Sequence, residues 1–172
     1  MFDHTHCVPV LRWKQAEQHA LRDLFPWVKS QFTPLIEAPK RGTDNPDSLC
    51  RYPSSLLKMC GTAPFFFDFG PFSSGVSVGT YEDFFAESRS RGLSIIPVTG
   101  LATNDVLQDS IGNRGHGLEI CLRLYRDDLD RGDLIVVLDD VAALAFAEDH
   151  DAYSARPESL PAFRYAFGVI SV

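Results

Sequence analysis

Lys14, Glu37, Asp68, Thr99, Arg123 and Asp139 each stand near the end of an apolar segment. The segments are HCVPVLRWK (6–14), FTPLIEAP (32–39), APFFFDFG (63–70), LSIIPVTG (93–100), GLEICLRL (117–124) and DLIVVLDD (133–140). Read as strands, they bring these side chains to their C-terminal ends, where sites in parallel sheets sit. The carboxylates Glu37, Asp68 and Asp139 suit ligation of a divalent cation such as Mg²⁺, which takes oxygen donors, or acid/base catalysis. Lys14 and Arg123 could grip a phosphate or carboxylate, Arg with bidentate geometry, and Thr99 could orient the ligand. Such a set fits phosphoester chemistry or proton abstraction beside a carboxylate. It fits equally an internal ion-pair network in a barrel mouth, with the cations neutralising the acids.

Other motifs carry less chemistry. Glu17 lies three residues after Lys14, a spacing that predicts a local ion pair on one helix face. His4 and His6 form H-T-H, a metal-binding spacing on a strand, but only Met-Phe-Asp precedes the pair. No strand can then present it from a C-terminal end, and His19, His116 and His150 fall in a helix, a turn and a surface segment. The glycine-rich GPFSSGVSVG (70–79) lacks the Lys-Ser/Thr ending of a phosphate loop and reads as a connector. Its serines make no nucleophile elbow.

The elements that must position these residues follow from periodicity. KQAEQHALRDLF (14–25) reads as a helix with Ala16, Ala20, Leu21 and Leu24 at helical spacing, and Pro26 prevents simple continuation. PSSLLKMC (53–60) has Pro53 in its first turn and Gly61 at its C-terminal cap. Tyr81 to Arg91 forms a helix with Thr80 and Asp83 as the N-cap pair and Gly92 closing it. Short helical stretches are expected around Asn104 to Ser110 and over VAALAFAEDH (141–150). FRYAFGVISV (163–172) supplies a seventh strand. The run Phe65, Phe66, Phe67 requires both faces of its strand to be apolar, because side chains alternate. Near-continuous apolar strands alternating with helices mean a parallel sheet covered on both faces.

Composition sets the outer bounds. At 172 residues the chain is one domain, residues 1–172, long enough to bury a core. A hydrophobic content of 45% with 23% charged residues is that of an ordinary globular protein. The net charge of -7 argues against broad binding to nucleic acid or anionic membrane. No apolar run approaches the ~20 residues of a membrane span. Cys7, Cys50, Cys60 and Cys121 make no C-x-x-C pair, and reduced thiols in a cytoplasmic protein are expected. Cys7 and Cys121 fall in apolar strands, where a thiol behaves as a small hydrophobe.

The segments VPVLRWKQAEQHAL, FTPLIEAP, GTAPFFFDF, RGLSIIPVTGL and GLEICLRLYRDDL together resemble the Beta protein family of bacteriophages and prophages. The pattern P-x-L-x-x-K-x-x-E-x-x-A-L and the sequence IPVTGL are its most specific pieces, and Val8 to Asp128 carries the match. The resemblance implies a (β/α) barrel about twice this length without an established activity. It also implies, for some members, phage gene clusters that exclude competing phages. Leu124 lies closer to LIVVLDD than the family pattern leads one to expect, and the C-terminal portion that would close the barrel is missing. A short or truncated member is the expectation, with a protein partner or homo-oligomer covering the open sheet edge.

The resulting expectation is an α/β fold, an incomplete (β/α) TIM-barrel-like parallel sheet of about six or seven βα units. Two functions stand beside it. One is a scaffold whose strand-end cluster binds a small anionic ligand, with or without a divalent metal, for hydrolytic or lyase chemistry. In the other the chain is a non-catalytic partner in a phage-exclusion or toxin-control module, with Phe72 and Phe163 as contact residues.

Overall fold

Apolar runs dictate short strands, and the structure contains them, most deeply buried at residues 65–68. It is a computed structural model that describes residues 7–38, 49, 51–70, 76–101, 120–130, 132 and 168–169. In chain order the elements are β1 (Val10–Arg12), α1 (Gln15–Asp23), α2 (Pro26–Lys29), β2 (Leu35–Glu37) and α3 (Tyr52–Cys60). Then come β3 (Phe65–Asp68), α4 (Val78–Ser90), β4 (Ile95–Thr99), β5 (Cys121–Leu124), α5 (Arg126–Leu129) and β6 (Gly168–Val169). The strands expected at 6–14, 32–39, 63–70, 93–100 and 117–124 each contain one observed strand. Residues 133–140 and the helices expected at 104–110 and 141–150 lie outside the described residues. The final apolar segment contributes β6, which pairs with β5.

Every neighbouring pair of strands is parallel, and spatial order follows sequence order. β1 to β5 make a sheet curled as a half-barrel. Such an order has no reversal point, so right-handed crossovers place the connecting helices on one face and leave the other as the inside of the curl. Among the described residues the parallel sheet has six strands, five of them in the curled part, and this half-barrel is the part of the expected six or seven βα units that is observed. Among the described residues no helix is long and apolar enough to cross a membrane.

The two faces have separate cores. Against the helices pack Ile36, Phe65, Phe67 and Phe69 with Leu21 of α1, Leu56 of α3, and Tyr81, Phe84 and Phe85 of α4. The inner face carries Leu35, Phe66, Ile96, Val98 and Cys121. Phe65 and Phe67 therefore point one way and Phe66 the other, as the run of phenylalanines requires. On the helix side Phe67 stacks on Phe84 at 5.5 Å, and Phe69 meets Tyr81, Phe84 and Phe85 edge-on at 5.3, 5.1 and 5.5 Å. Edge-to-face pairs of this kind add about 0.5–1.5 kcal/mol beyond the burial itself.

The helices differ from expectation in detail. α1 buries only Leu21, with Leu24 packed beyond its end, while Ala16 and Ala20 face solvent. Pro26 starts a second helix, α2, because its missing N–H costs nothing in a first turn. α4 begins three residues earlier than expected. Its N-cap is Ser77, whose hydroxyl accepts the Thr80 N–H at 3.3 Å; Thr80 is itself inside the first turn. Tyr81, Phe84, Phe85 and Ser88 then form the buried stripe, and the Ser88 hydroxyl is satisfied by the Phe84 carbonyl at 2.7 Å. Gly61 and Gly92 end α3 and α4 at φ 69 and 75, a left-handed backbone that side chains resist. Cys7 is exposed, not a buried hydrophobe, whereas Cys121 is buried as expected.

This capping makes a measurable distinction. Ser77→Ala should lower stability by about 1 kcal/mol, whereas Asp83→Ala, at an exposed position, should change it by less than about 0.5 kcal/mol. Urea unfolding midpoints of the two variants check this, and the reverse order would place the cap back at Thr80.

Candidate functional site

Strand register decides which side chains can meet. Val10, Leu35, Phe66 and Ile96 are partners across β1 to β4, and two residues on, Arg12, Glu37, Asp68, Val98 and Cys121 form the next row. Each row lies on one face, because partners in a parallel ladder share orientation. The first row is an apolar floor on the inner face. The second carries charge on β1, β2 and β3. Arg123 stands two residues beyond Cys121 and so projects from β5 onto the same face. To reach the acids it must pass over β4, where Val98 is small and Gly100, the next residue of that column, has no side chain.

The guanidinium ends between the two carboxylates. Its Nη1 donates to Glu37 Oε1 at 2.7 Å and to Asp68 Oδ2 at 2.6 Å. The side chain of Arg123 is 6% exposed, that of Asp68 12% and that of Glu37 22%, so the pair with Asp68 is buried and the pair with Glu37 half-buried. The other oxygen of Asp68, Oδ1, accepts the Gly70 N–H at 2.7 Å, which fixes the carboxylate from the loop after β3. A Cβ on residue 70 would come within 3.0 Å of that same oxygen, so glycine suits the close approach. Arg12, 71% exposed, places its Nε 3.7 Å from Glu37 Oε2. The Tyr125 ring, in the same inner column as Cys121 and Arg123, lies over the guanidinium with Cζ 4.9 Å from its centroid. Burial works against the charge of Arg123, but the hydrogen bonds it donates to Glu37 and Asp68 prevail and raise its pKa above the ordinary value. One donor stays unanswered: Arg123 Nε is buried and has no hydrogen-bond partner among the described residues.

Of the residues singled out from sequence, Glu37, Asp68 and Arg123 come together. Lys14 does not join them. It is exposed and forms the N-cap of α1, where its backbone N–H is accepted by Glu17 Oε2 at 3.3 Å. Glu17 is therefore a partner of the Lys14 backbone, and the side-chain ion pair expected between them is not among the described salt bridges. Thr99, one residue past Val98, falls on the opposite face; it is buried, and its hydroxyl has no hydrogen-bond partner among the described residues. Asp139, His4, His6, His116, His150, Cys50, Phe72 and Phe163 lie outside the described residues, as do residues 71–75 of the glycine-rich segment. Sequence reasoning passed over Arg12, Cys121 and Tyr125. All three share the alternation of a residue already chosen, Arg12 two before Lys14 and the other two on either side of Arg123.

Chemically, the cluster pairs two acids with two guanidinium groups, so its formal charge is zero. A divalent cation bridging Glu37 and Asp68 would have to take the position of Arg123 Nη1. Among the described residues no group of three His, Cys, Asp or Glu side chains could hold a metal ion.

Two consequences can be measured. Arg123→Met would leave Glu37 and Asp68 facing each other without their shared cation, and should cost about 3–5 kcal/mol in urea unfolding. Recovery of most of that loss in the triple variant with Glu37→Gln and Asp68→Asn would assign the cost to the stranded charges. The second concerns alkaline pH. Burial pushes the Cys121 thiol from 9.0 up to about 11, with Asp68 adding to the effect and Arg123 opposing it. Burial likewise pushes Cys60 up to about 12 and the Tyr81 hydroxyl from 10.0 up to about 12. The unfolded chain loses these protons first, so the folded state binds more of them above about pH 9. Stability should be full below pH 9 and fall as the pH rises toward 11 to 12. Unfolding midpoints that stay flat from pH 8.5 to 10.5 would contradict this.

Neither a curated protein nor a solved structure matches the chain. A family match exists, and it spans residues 8–153, which include β1 to β5 and every member of the cluster. The chain belongs to the family described as Beta protein.

Proposed function

We propose that this Beta-family chain is a barrel-type scaffold that binds a small oxyanion-bearing ligand, a phosphate or carboxylate, at the ends of β1, β2, β3 and β5. The observation that carries the reading is the unanswered Nε of Arg123. A buried donor without a partner costs about 1–3 kcal/mol, and a network built only for stability would satisfy it. In the bound state Arg123 would offer the ligand its Nε side while Nη1 stays on Glu37 and Asp68. Arg12 supplies the second positive charge, so an arriving anion meets a neutral cluster. Glu37, more exposed than Asp68 and only loosely paired on Oε2, is the group placed to take or give a proton in hydrolytic or lyase chemistry. Asp68, held from two sides, positions Arg123. If Asp139 adds a third carboxylate, a Mg²⁺ ion could accompany the ligand. A closed (β/α) barrel, a prophage origin and a cytoplasmic location complete this reading.

A second reading draws on a different observation. Among the described residues β1 is an edge strand, and Val8 and Val10 beside that edge are 41% and 37% exposed. An open edge with apolar neighbours invites a partner chain or a second copy. That supports the non-catalytic interaction protein, for instance within a phage-exclusion module.

Thermal unfolding separates the readings. Inorganic phosphate, citrate and small phosphorylated metabolites would be tested on the wild-type chain and on Arg123→Lys, with light scattering of the same samples. A ligand at 100 times its Kd stabilises by about 2.7 kcal/mol, which raises Tm by roughly 5–10 °C at this chain length. The lysine variant, without the guanidinium fork, should lose that shift. No shift with any anion, in a chain that scatters as a dimer or larger, would make the cluster an internal ion-pair network and favour the interaction protein.

A further inference from the structure

The guanidinium of Arg123 is fixed along one edge by the two carboxylates, but a side chain anchored through a single Nη can still rotate about that anchor. What limits the rotation is on its face. Tyr125 lies over the guanidinium at 4.9 Å, and its own backbone is pinned, because the Tyr125 N–H donates to Asp128 Oδ2 at 2.8 Å. Tyr125 sits at the N-cap of α5, so Asp128 ties the ring's attachment point to the first turn of that helix. The side chain is nevertheless 47% exposed, too open to serve as a core residue. An aromatic ring that is half in solvent, held at its backbone and laid on a buried cation has little other use than to set that cation's plane.

We propose that Tyr125 is the positioning residue of the Arg123 site: it holds the guanidinium plane so that Nε keeps one direction toward an incoming oxyanion. This rests on the reading of Arg123 as an oxyanion donor. The ring face does the holding, so the phenol hydroxyl is dispensable. Asp128 takes part at one remove, through the backbone of Tyr125.

The ¹⁵N–¹H signal of the Arg123 Nε group reports both ideas separately. Without any ligand, Tyr125→Ala should speed exchange of that proton with water about tenfold or broaden the signal beyond detection. Tyr125→Phe should leave it as in the wild type. On titration with inorganic phosphate the wild-type signal should move, and Tyr125→Ala should bind about three- to tenfold more weakly, in line with the strength of cation–π contacts. Tyr125→Phe should restore wild-type affinity. An Nε signal in Tyr125→Ala that exchanges as in the wild type overturns the positioning role, whatever phosphate does. A wild-type signal that no phosphate concentration moves overturns the oxyanion reading itself, and the exchange measurement then still decides whether Tyr125 fixes Arg123.

Discussion

A single guanidinium shared by two carboxylates sets the terms for the rest of this structure. Burying an ion costs several kcal/mol, and mutual attraction repays this only when geometry is good and the remaining donors and acceptors are met. Arg123, Glu37 and Asp68 come from β5, β2 and β3, so they meet only if the parallel register is correct across the sheet. A slip of one residue on β3 would turn Asp68 toward Phe84 and Phe85 and leave Arg123 with half its partners. The small residues of β4 matter for the same reason, since a bulky side chain at position 98 or 100 would stand in the path of the arginine. The ladder, the size of side chains on β4 and the charge cluster are one constraint seen three ways.

That constraint explains why so much aromatic surface lies on the other face. Short strands of three to five residues make few hydrogen bonds each, so register must be enforced by packing. Phe65, Phe67 and Phe69 alternate with Phe66 and Asp68, and against α4 Phe67 stacks on Phe84 while Phe69 meets Phe84 and Phe85 edge-on. Shifting β3 along its neighbours would drive those rings out of the slots between Tyr81, Phe84 and Phe85. The helix-side core thereby defines the position of an acid on the opposite face.

Much of this arrangement is written plainly in the residues. Apolar runs located β1 to β5, and the acids and arginine that close them were picked out because a charge at the end of such a run has few neutral explanations. Three gaps in that reading have physical causes. In LRWK both Arg12 and Lys14 would point the same way from a continued strand; the last bond across to β2 is from the Trp13 N–H to the Glu37 carbonyl, and Lys14 then turns into α1. Nothing in residue type marks that turn. Thr99 does end its strand, but its face is not legible because IIPV is apolar on both faces, which erases the alternation that would tell its side. Ser77 and Thr80 are both good caps three residues apart, and only the backbone shows which one is outside the helix. Arg12, Cys121 and Tyr125 were legible in principle, since each is two residues from a chosen one.

The position of the charges also bears on their purpose. Replacing a buried ion pair by apolar side chains of similar volume is often neutral or stabilising, and this chain demonstrates the apolar solution one row below. There Leu35, Phe66 and Ile96 fill the same inner face with hydrocarbon. If stability alone shaped the next row, leucine and isoleucine would serve at positions 37, 68 and 123 without the desolvation cost. The change from hydrocarbon to charge within two residues, on adjacent strands and at the ends where parallel sheets carry their sites, is hard to derive from packing. The same holds within the cluster. A lysine has its three donors on one nitrogen and could serve both acids from there, whereas arginine serves them from Nη1 and retains a further N–H on a separate nitrogen, Nε. The unanswered Nε is then a consequence of using arginine where a simpler cation would have closed the network.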